Sequence, residues 1–202
     1  MPEFALLLSP ARCDGRRASY LLKEGSELPL ARRLREPEGA PLGEVFSFMS
    51  SLYFRGKLAY ARAFATARLG AHVITPGRGL LSPDQPVRRA DLLAMAEVTV
   101  SQEESRFREP LARDARRLAE RLGPQDGVVL LGSIATDKYV EVLTDCFAGR
   151  LLFPPVFVGR GDMSRGGLML RHAASGRPLD YAPVAGAVRH GKRPPKLEPL
   201  RA

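Results

Sequence analysis

Tryptophan is absent from this chain of 202 residues, which has only two cysteines and three histidines. The cysteines, Cys13 and Cys146, argue against a disulfide scaffold and for a reducing compartment. They also leave no zinc-ligand spacing, so the sequence predicts neither a bound metal nor a cofactor. No apolar run is long enough to span a bilayer, and no basic segment precedes the first one as in a signal peptide. We therefore expect a cytoplasmic protein with no membrane partner.

Acidic residues are outnumbered by basic ones, with 22 Asp and Glu against 31 Lys and Arg and a formal net charge of +9. Such a charge favours a polyanionic partner, either nucleic acid, with DNA first, or a phosphorylated nucleotide. Arg-rich, Lys-poor usage also arises from a GC-rich genome, so the charge alone does not decide. The composition gives no indication of the oligomeric state.

Four short apolar runs are typical of buried strands, and they cover approximately residues 3–8, 71–74, 128–131 and 156–158. Segments with helical spacing of apolar residues lie at about 18–22, 27–35, 43–69, 107–122 and 137–147. This alternation predicts an α/β fold, with a mostly parallel sheet of four or more strands and helices on both faces. Residues 1–188 are predicted to form a single domain, followed by a basic, Pro-rich C-terminal tail at 189–202.

Other segments give local predictions. A short helix, a polar strand and a hairpin are expected at 90–97, 98–102 and 176–188. Residues 168–174 fit either a helix or a strand. Thr136 is a plausible N-cap for the helix at 137–147, and Gly56 indicates either a break in the long helix or a close approach of another helix.

Each predicted strand ends at a loop rich in Gly, Ser, Thr or Arg, and the loops cover residues 9–17, 75–84, 132–138 and 159–167. In open α/β sheets, ligands bind outside the carboxyl ends of parallel strands, because loops and helix N-termini converge there. We therefore expect the four loops to meet at one site. Backbone N–H groups and guanidinium groups at such a site suit a phosphate or another anion.

The residues expected to bind the ligand come from these loops, and four arginines among them would hold phosphate: Arg12, Arg78, Arg160 and Arg165. The full predicted set is Ser9, Arg12, Arg16, Arg17, Gly77, Arg78, Gly132, Ser133, Thr136, Lys138, Arg160, Arg165 and Gly166. Its glycines allow backbone conformations and close approaches that other residues do not.

Three carboxylates are candidate catalytic groups. Asp162 is the first choice as a general base, although it also fits a partner for an arginine or a metal ligand. Asp14 and Glu44 are the alternatives, and Glu44 equally fits a charge placed at a helix N-terminus. Cys13 lies among three arginines, which would lower the pKa of its thiol if they are close in space.

Some patterns indicate structure as readily as function. The basic helix at 107–122 predicts a solvated face or a contact with nucleic acid. Tyr53 and Tyr60 are seven residues apart, so they share a helix face and more often belong to a core than to a base-stacking surface. The sequence contains no Walker lysine motif, no dinucleotide-binding glycine fingerprint and no nucleophile elbow for a serine triad.

Three segments resemble the YaaA-like group of bacterial proteins. They are a first strand running into LSPAR, the pattern Leu52-Tyr53-x-x-x-Lys57 within a helix, and the pattern G-x-G-L-L-x-P-D at 77–84. Together they span residues 4–86, with 128–143 as a weaker fourth piece. Family patterns usually have a tyrosine where this chain has Arg78, and the last third of the chain is not covered. The resemblance implies a cytoplasmic α/β protein linked to DNA binding and oxidative stress, without a settled activity.

These observations lead to three functional expectations. The first is a nucleic-acid- or nucleotide-binding protein, with hydrolysis of an N-glycosidic bond as its expected reaction. This arrangement resembles uracil-DNA glycosylases by architecture only, and Asp162, Asp14 or Glu44 would activate water. The second is a non-catalytic DNA-binding stress-response protein that uses the basic helix and tail. The third is a thiol- or sulfur-handling enzyme that uses Cys13.

Overall fold

The computed structural model describes residues 2–195 and residue 197. The strands are β1 (Phe4–Leu8), β2 (Ala40–Pro41), β3 (Ala71–Thr75), β4 (Gly79–Leu81), β5 (Pro86–Val87), β6 (Gly127–Leu131), β7 (Leu151–Phe153) and β8 (Ala182–Pro183). The helices are α1 (Arg16–Leu22), α2 (Pro29–Arg33), α3 (Leu42–Phe64), α4 (Arg89–Ala96), α5 (Ser105–Glu120), α6 (Val140–Phe147) and α7 (Asp162–Ser175).

Six strands form one mixed sheet in the order β4-β3-β1-β6-β7-β8, and β2 pairs with β5 in a separate small sheet. The four central strands β3, β1, β6 and β7 run parallel, whereas β4 and β8 are antiparallel edges. Leu8 pairs with Val73 on one side and with Leu131 on the other. The carboxyl ends of β1, β3 and β6 are therefore side by side. The predicted α/β fold with a mostly parallel sheet is confirmed.

Both faces of the sheet are covered, because side chains alternate between them along each strand. Leu6 and Leu8 of β1 point into a core formed with α1–α4 and α7. Ala5 and Leu7 point into a second core formed with α5 and α6. Burial on both faces explains why the central strands are continuous apolar runs rather than alternating ones.

The long helix α3 is bent at Ser51, whose φ of 52° and ψ of −131° are not helical. Gly56 lies beyond this bend and faces Gly166 of α7, so closely that a Cβ atom on Gly56 would be 2.8 Å from the Gly166 Cα. Of the two interpretations of Gly56, close helix approach is the one that holds. The α3–α7 contact brings the start of α7 next to the end of β1.

Three predictions of strands are wrong. The fourth parallel strand is Leu151–Phe153, and the expected strand at 156–158 overlaps a 3₁₀ turn that begins after Pro154. Residues 98–102 form no strand. The expected hairpin at 176–188 is also absent, since β8 pairs with β7 instead.

Thr136 does not cap α6, because that helix begins only at Val140 and its N-cap residue is Tyr139. The loop predicted at 159–167 is shorter than expected, since α7 begins at Asp162 and includes the remaining residues. Part of the predicted tail, residues 196 and 198–202, lies outside the described residues. Within the described chain, no helix is long and apolar enough to cross a membrane.

Candidate functional site

A cleft of about 380 Å³ lies at the carboxyl ends of three neighbouring parallel strands. The loop after β1 contributes Ser9–Asp14, the residue after β3 is Pro76, and the segment after β6 contributes Ser133, Thr136 and Lys138. Tyr139, just before α6, also lines the cleft. The remaining lining residues come from helices and the segment after α4: Tyr53, Met95, Ala96, Val98, Thr99, Val100 and Asp162. Three strand ends and the first residue of α7 thus meet around one opening.

The lining of the cleft combines polar and apolar residues. Arg12 and Lys138 supply positive charge, Asp14 and Asp162 supply negative charge, and Ser133 and Thr136 add hydroxyl groups. The segment that ends α4 and follows it supplies an apolar wall, formed by Met95, Val98 and Val100. A ligand that combines an anionic group with an apolar ring would match this lining.

Beneath the cleft lies a fully buried lysine, Lys57 of α3. Its Nζ donates hydrogen bonds to the Ser9 carbonyl oxygen at 3.0 Å and to the Ser9 Oγ at 2.6 Å. The same nitrogen lies 3.7 Å from the centre of the Tyr53 ring. Burial lowers the pKa of Lys57 to about 7, against the opposing charge of Asp162. Near neutral pH a large fraction of this amine is therefore unprotonated.

Ser9 lines the opening, whereas Lys57 does not. The hydroxyl of Ser9 therefore connects Lys57 to the cleft. Gly132 at the end of β6 permits this arrangement. A Cβ atom there would be 2.8 Å from the Ser9 Cβ and 3.0 Å from the Tyr139 hydroxyl oxygen. Tyr139 donates a hydrogen bond to the Ser133 carbonyl at 3.2 Å. Ser9 is thus enclosed by Lys57, Gly132 and Tyr139.

Asp162 stands at the rim with 67 % of its side chain exposed, and Arg165 pairs with it at 3.5 Å. Arg165 is buried, and its Nε donates to the Phe157 carbonyl at 3.2 Å. The Tyr53 hydroxyl, near the Arg165 charge, is buried without a hydrogen-bond partner among the described residues. Arg165 therefore holds Asp162 in position at the rim but does not itself line the cleft.

Asp14 and Arg12 face the cleft as a pair, with Arg12 donating from Nε at 3.2 Å and from Nη2 at 3.1 Å. The hydrogen bonds from Arg12 lower the pKa of Asp14, although partial desolvation opposes this. Asp14 is therefore a carboxylate at neutral pH and a weaker base than an unpaired one. Between the two carboxylates of the cleft, Asp162 is the freer to act on water.

Several residues of the predicted set lie outside the cleft and have other partners. Glu44, near the start of α3, receives hydrogen bonds from Arg33 at 2.7 and 2.8 Å. Arg78 is hydrogen-bonded to Asp91. Arg160 donates to the Val156 carbonyl, the Ser164 hydroxyl and the Pro195 carbonyl, at 3.0, 3.2 and 3.3 Å. Of the four arginines expected to hold phosphate, Arg12 is the one that lines the opening.

Four other residues of the predicted set lie outside the cleft and contact the rest of the fold. Arg16 donates to the Tyr20 hydroxyl at 2.8 Å, and Arg17 donates to the Phe48 carbonyl at 3.1 Å. Gly77 adopts a positive φ of 75° in the turn between β3 and β4. Gly166 packs against the backbone of α3, where a Cβ atom would be 2.6 Å from the Leu52 carbonyl oxygen.

Cys13 also lines the cleft, but its side chain is 4 % exposed. Burial, aided by the negative charge of Asp14, raises the pKa of the Cys13 thiol to about 12. The arginines were expected to lower this pKa if they were close in space, but burial and Asp14 are the influences found on it, and both raise it. A thiol that stays protonated is a poor nucleophile, so the surroundings of Cys13 do not favour it as a reacting group.

Alkylation of the native protein tests whether burial makes Cys13 unreactive. We expect iodoacetamide at pH 8 to modify the partly exposed Cys146 before Cys13, because access and thiolate fraction both limit Cys13. Mass spectrometry of the digested protein over a time course measures the order. Faster modification of Cys13 would contradict the burial argument.

Lys57 is the residue that the residue patterns did not assign to the site. Its signal is nevertheless present in the sequence. Tyr53 and Lys57 are four residues apart in an apolar helical pattern, so they share the buried face of the helix. A lysine in that position either buries an ammonium group or has a lowered pKa, and either outcome makes it a candidate functional residue.

Comparisons of the chain with models of protein families, with characterised proteins and with solved structures give no match. Among residues 2–195 and 197, no group of three or more His, Cys, Asp or Glu side chains is placed to hold a metal ion.

Proposed function

We propose that the cleft binds a nucleotide, either free or within a nucleic acid, and that the protein hydrolyses it at the N-glycosidic bond in the cytoplasm. The observation that carries this proposal is that one cleft is lined by two cations, Arg12 and Lys138, and by an apolar wall with Val98 and Val100, although Arg12 is also paired with Asp14. The phosphate would lie at the cations and the base against the apolar wall, with Arg12 exchanging its contact with Asp14 for the phosphate. The volume of about 380 Å³ suits such a ligand.

Asp162 supports the hydrolytic part of the proposal. Its carboxylate is at the rim, and the buried guanidinium of Arg165 at 3.5 Å fixes its position. A carboxylate held next to a bound sugar can take a proton from an attacking water molecule. Asp14 is less suited, because Arg12 engages both of its oxygens. The resemblance of residues 4–86 to the YaaA-like group is consistent with a nucleic acid ligand.

Thermal unfolding with added ligands tests binding. We expect inorganic phosphate, deoxynucleoside monophosphates and a short single-stranded DNA to raise the Tm of the wild-type protein, because a ligand that binds the folded state stabilises it. Arg12→Ala together with Lys138→Ala should remove most of this shift. Arg16→Ala is the matched control, since Arg16 bonds to Tyr20 outside the cleft. Unchanged Tm values with all three ligands would contradict the proposal.

Asp162→Asn separates catalysis from binding. We expect this variant to keep the ligand-induced Tm shift but to lose turnover by about 100-fold or more, the usual contribution of a general base. Release of free base from an oligonucleotide or nucleotide, followed by chromatography, measures turnover. Equal rates for the variant and the wild-type protein would exclude Asp162 as the base.

A second candidate function, non-catalytic DNA binding, is favoured by the outer face of α5. The inner face of that helix is buried through Phe107, Leu111, Ala115 and Leu118, while its exposed side carries a series of arginines. Binding through this face would depend steeply on salt. Arg108→Ala with Arg116→Ala would weaken it, whereas the Arg12 and Lys138 variants would not.

A further inference from the structure

Ser9 and Lys57 form a pair with the geometry of a serine nucleophile and its base. We infer that the Ser9 hydroxyl, activated by Lys57, attacks the carbonyl carbon of a carboxylic ester carried by an anionic ligand in the cleft. The anionic part of this substrate class rests on the proposed function, because Arg12 and Lys138 would hold it. The nucleophile itself stands on separate observations.

The first observation is position. Ser9 Oγ is 2.6 Å from Lys57 Nζ, within the range needed for proton transfer between a nucleophile and its base. Ser9 lines the cleft although only 4 % of it is exposed, and Lys57 lies behind it, so the hydroxyl is nearer to a ligand than the amine is. In addition, Ser9 directly follows β1, whose backbone is paired on both sides by parallel strands.

The second observation is the environment of Lys57. The amine is fully buried and contacts the Ser9 carbonyl, the Ser9 hydroxyl and the face of Tyr53. No carboxylate forms an ion pair with it among the described residues. The charged groups facing this region are Asp162, which favours the ammonium form, and Arg165, which disfavours it.

The proposed reaction is hydrolysis of the ester, with water as the second substrate. Lys57 accepts the Ser9 proton as Oγ forms a bond to the ester carbonyl carbon. The tetrahedral intermediate then breaks its bond to the alkoxide, which leaves as an alcohol with the proton held by Lys57. A water molecule next gives its proton to Lys57 and attacks the acyl-serine. Ser9 Oγ leaves with that proton, and a carboxylic acid is released.

Covalent labelling tests the inference directly. We expect a fluorophosphonate probe to give one adduct on Ser9 of the full-length protein, located by mass spectrometry, and p-nitrophenyl acetate to give a burst of nitrophenol. The labelling rate of the wild-type protein should rise with pH through about 7, as the Lys57 amine loses its proton. Ser9→Ala should abolish the adduct.

The role of Lys57 is tested with Lys57→Met, which should label at least about 100-fold more slowly, the contribution expected from a general base. Lys23→Met is the matched control at an exposed position and should label at the wild-type rate. The wild-type pH profile decides the question if Lys57→Met is unfolded by circular dichroism. A flat profile, an adduct on another residue or a wild-type rate in Lys57→Met would overturn the inference.

The outcomes also separate this inference from the proposed function. Labelling of Ser9 without any nucleotide-induced Tm shift would support the serine nucleophile and reject nucleotide binding. A nucleotide-induced Tm shift without labelling of Ser9 would support nucleotide binding and reject the serine nucleophile. Protection of Ser9 from the probe by a bound nucleotide would support both and place them in the same cleft.

Discussion

Gly166→Ala is expected to lower the free energy of unfolding by about 3 kcal/mol, the upper part of the range for an overfilled packing site. A Cβ atom at this position would be 2.6 Å from the Leu52 carbonyl oxygen and 2.8 Å from the Tyr53 Cα. Both are backbone atoms, so the methyl group fits only if α7 moves away from α3. Because Tyr53 supports Lys57, the same movement would disturb the floor of the cleft.

Gly167→Ala is the matched control for this prediction. It changes the next residue of the same helix, but the nearest atom to its new Cβ is Leu197 Cδ1 at 3.4 Å. Alanine is the better helix former by up to about 1 kcal/mol, so this variant should be neutral or slightly more stable. Urea denaturation of the three proteins at pH 7 gives the comparison. Equal stability of the two variants would show that α3 and α7 are not in backbone contact.

The second large effect is expected in the pH dependence of stability. The pKa of Lys57 is about 7 in the folded protein and about 10.5 when the lysine is exposed to water. Between these values the unfolded chain binds the proton and the folded chain does not, so stability rises with pH. Below about pH 7 the buried ammonium carries its full desolvation cost, and above about pH 10.5 that cost is absent.

Lys57→Met isolates this contribution, because all other titrating groups are common to both proteins. The free energy of unfolding of the wild-type protein minus that of Lys57→Met should rise by about 1.4 kcal/mol per pH unit between pH 7 and pH 9. Lys23→Met should give a difference that is constant with pH. A constant difference for Lys57→Met as well would mean that the Lys57 pKa is near its ordinary value.

The sheet was predictable because its signals are local. Continuous apolar runs at residues 3–8, 71–74 and 128–131 end at glycine, serine or threonine, and these runs became β1, β3 and β6. The prediction of a fourth strand at residues 156–158 failed because Pro154 and Pro155 lack backbone N–H donors. The strand lies earlier, at Leu151–Phe153. Proline content within an apolar run thus outweighed its hydrophobicity.

The positions of the arginines were not predictable, because they depend on partners distant in sequence. Arg78 is engaged by Asp91 and Arg160 by carbonyl groups of Val156 and Pro195. A loop pattern shows that a guanidinium is near a strand end but not which way it points. The structure places Arg12, Ser133, Thr136, Lys138 and Asp162 around one opening. It adds Lys57 beneath that opening, a residue that the sequence analysis named only within the family resemblance.

The most direct test of the nucleotide-binding cleft is photocrosslinking with an azido-adenine nucleotide, followed by mapping of the modified peptides. Because the base would lie against Val98 and Val100, we expect the crosslink in residues 95–100 or in the loop 9–14, with competition by unmodified nucleotide. Arg12→Ala with Lys138→Ala should reduce its yield. Crosslinks confined to the outer face of α5, or an absence of competition, would contradict the account.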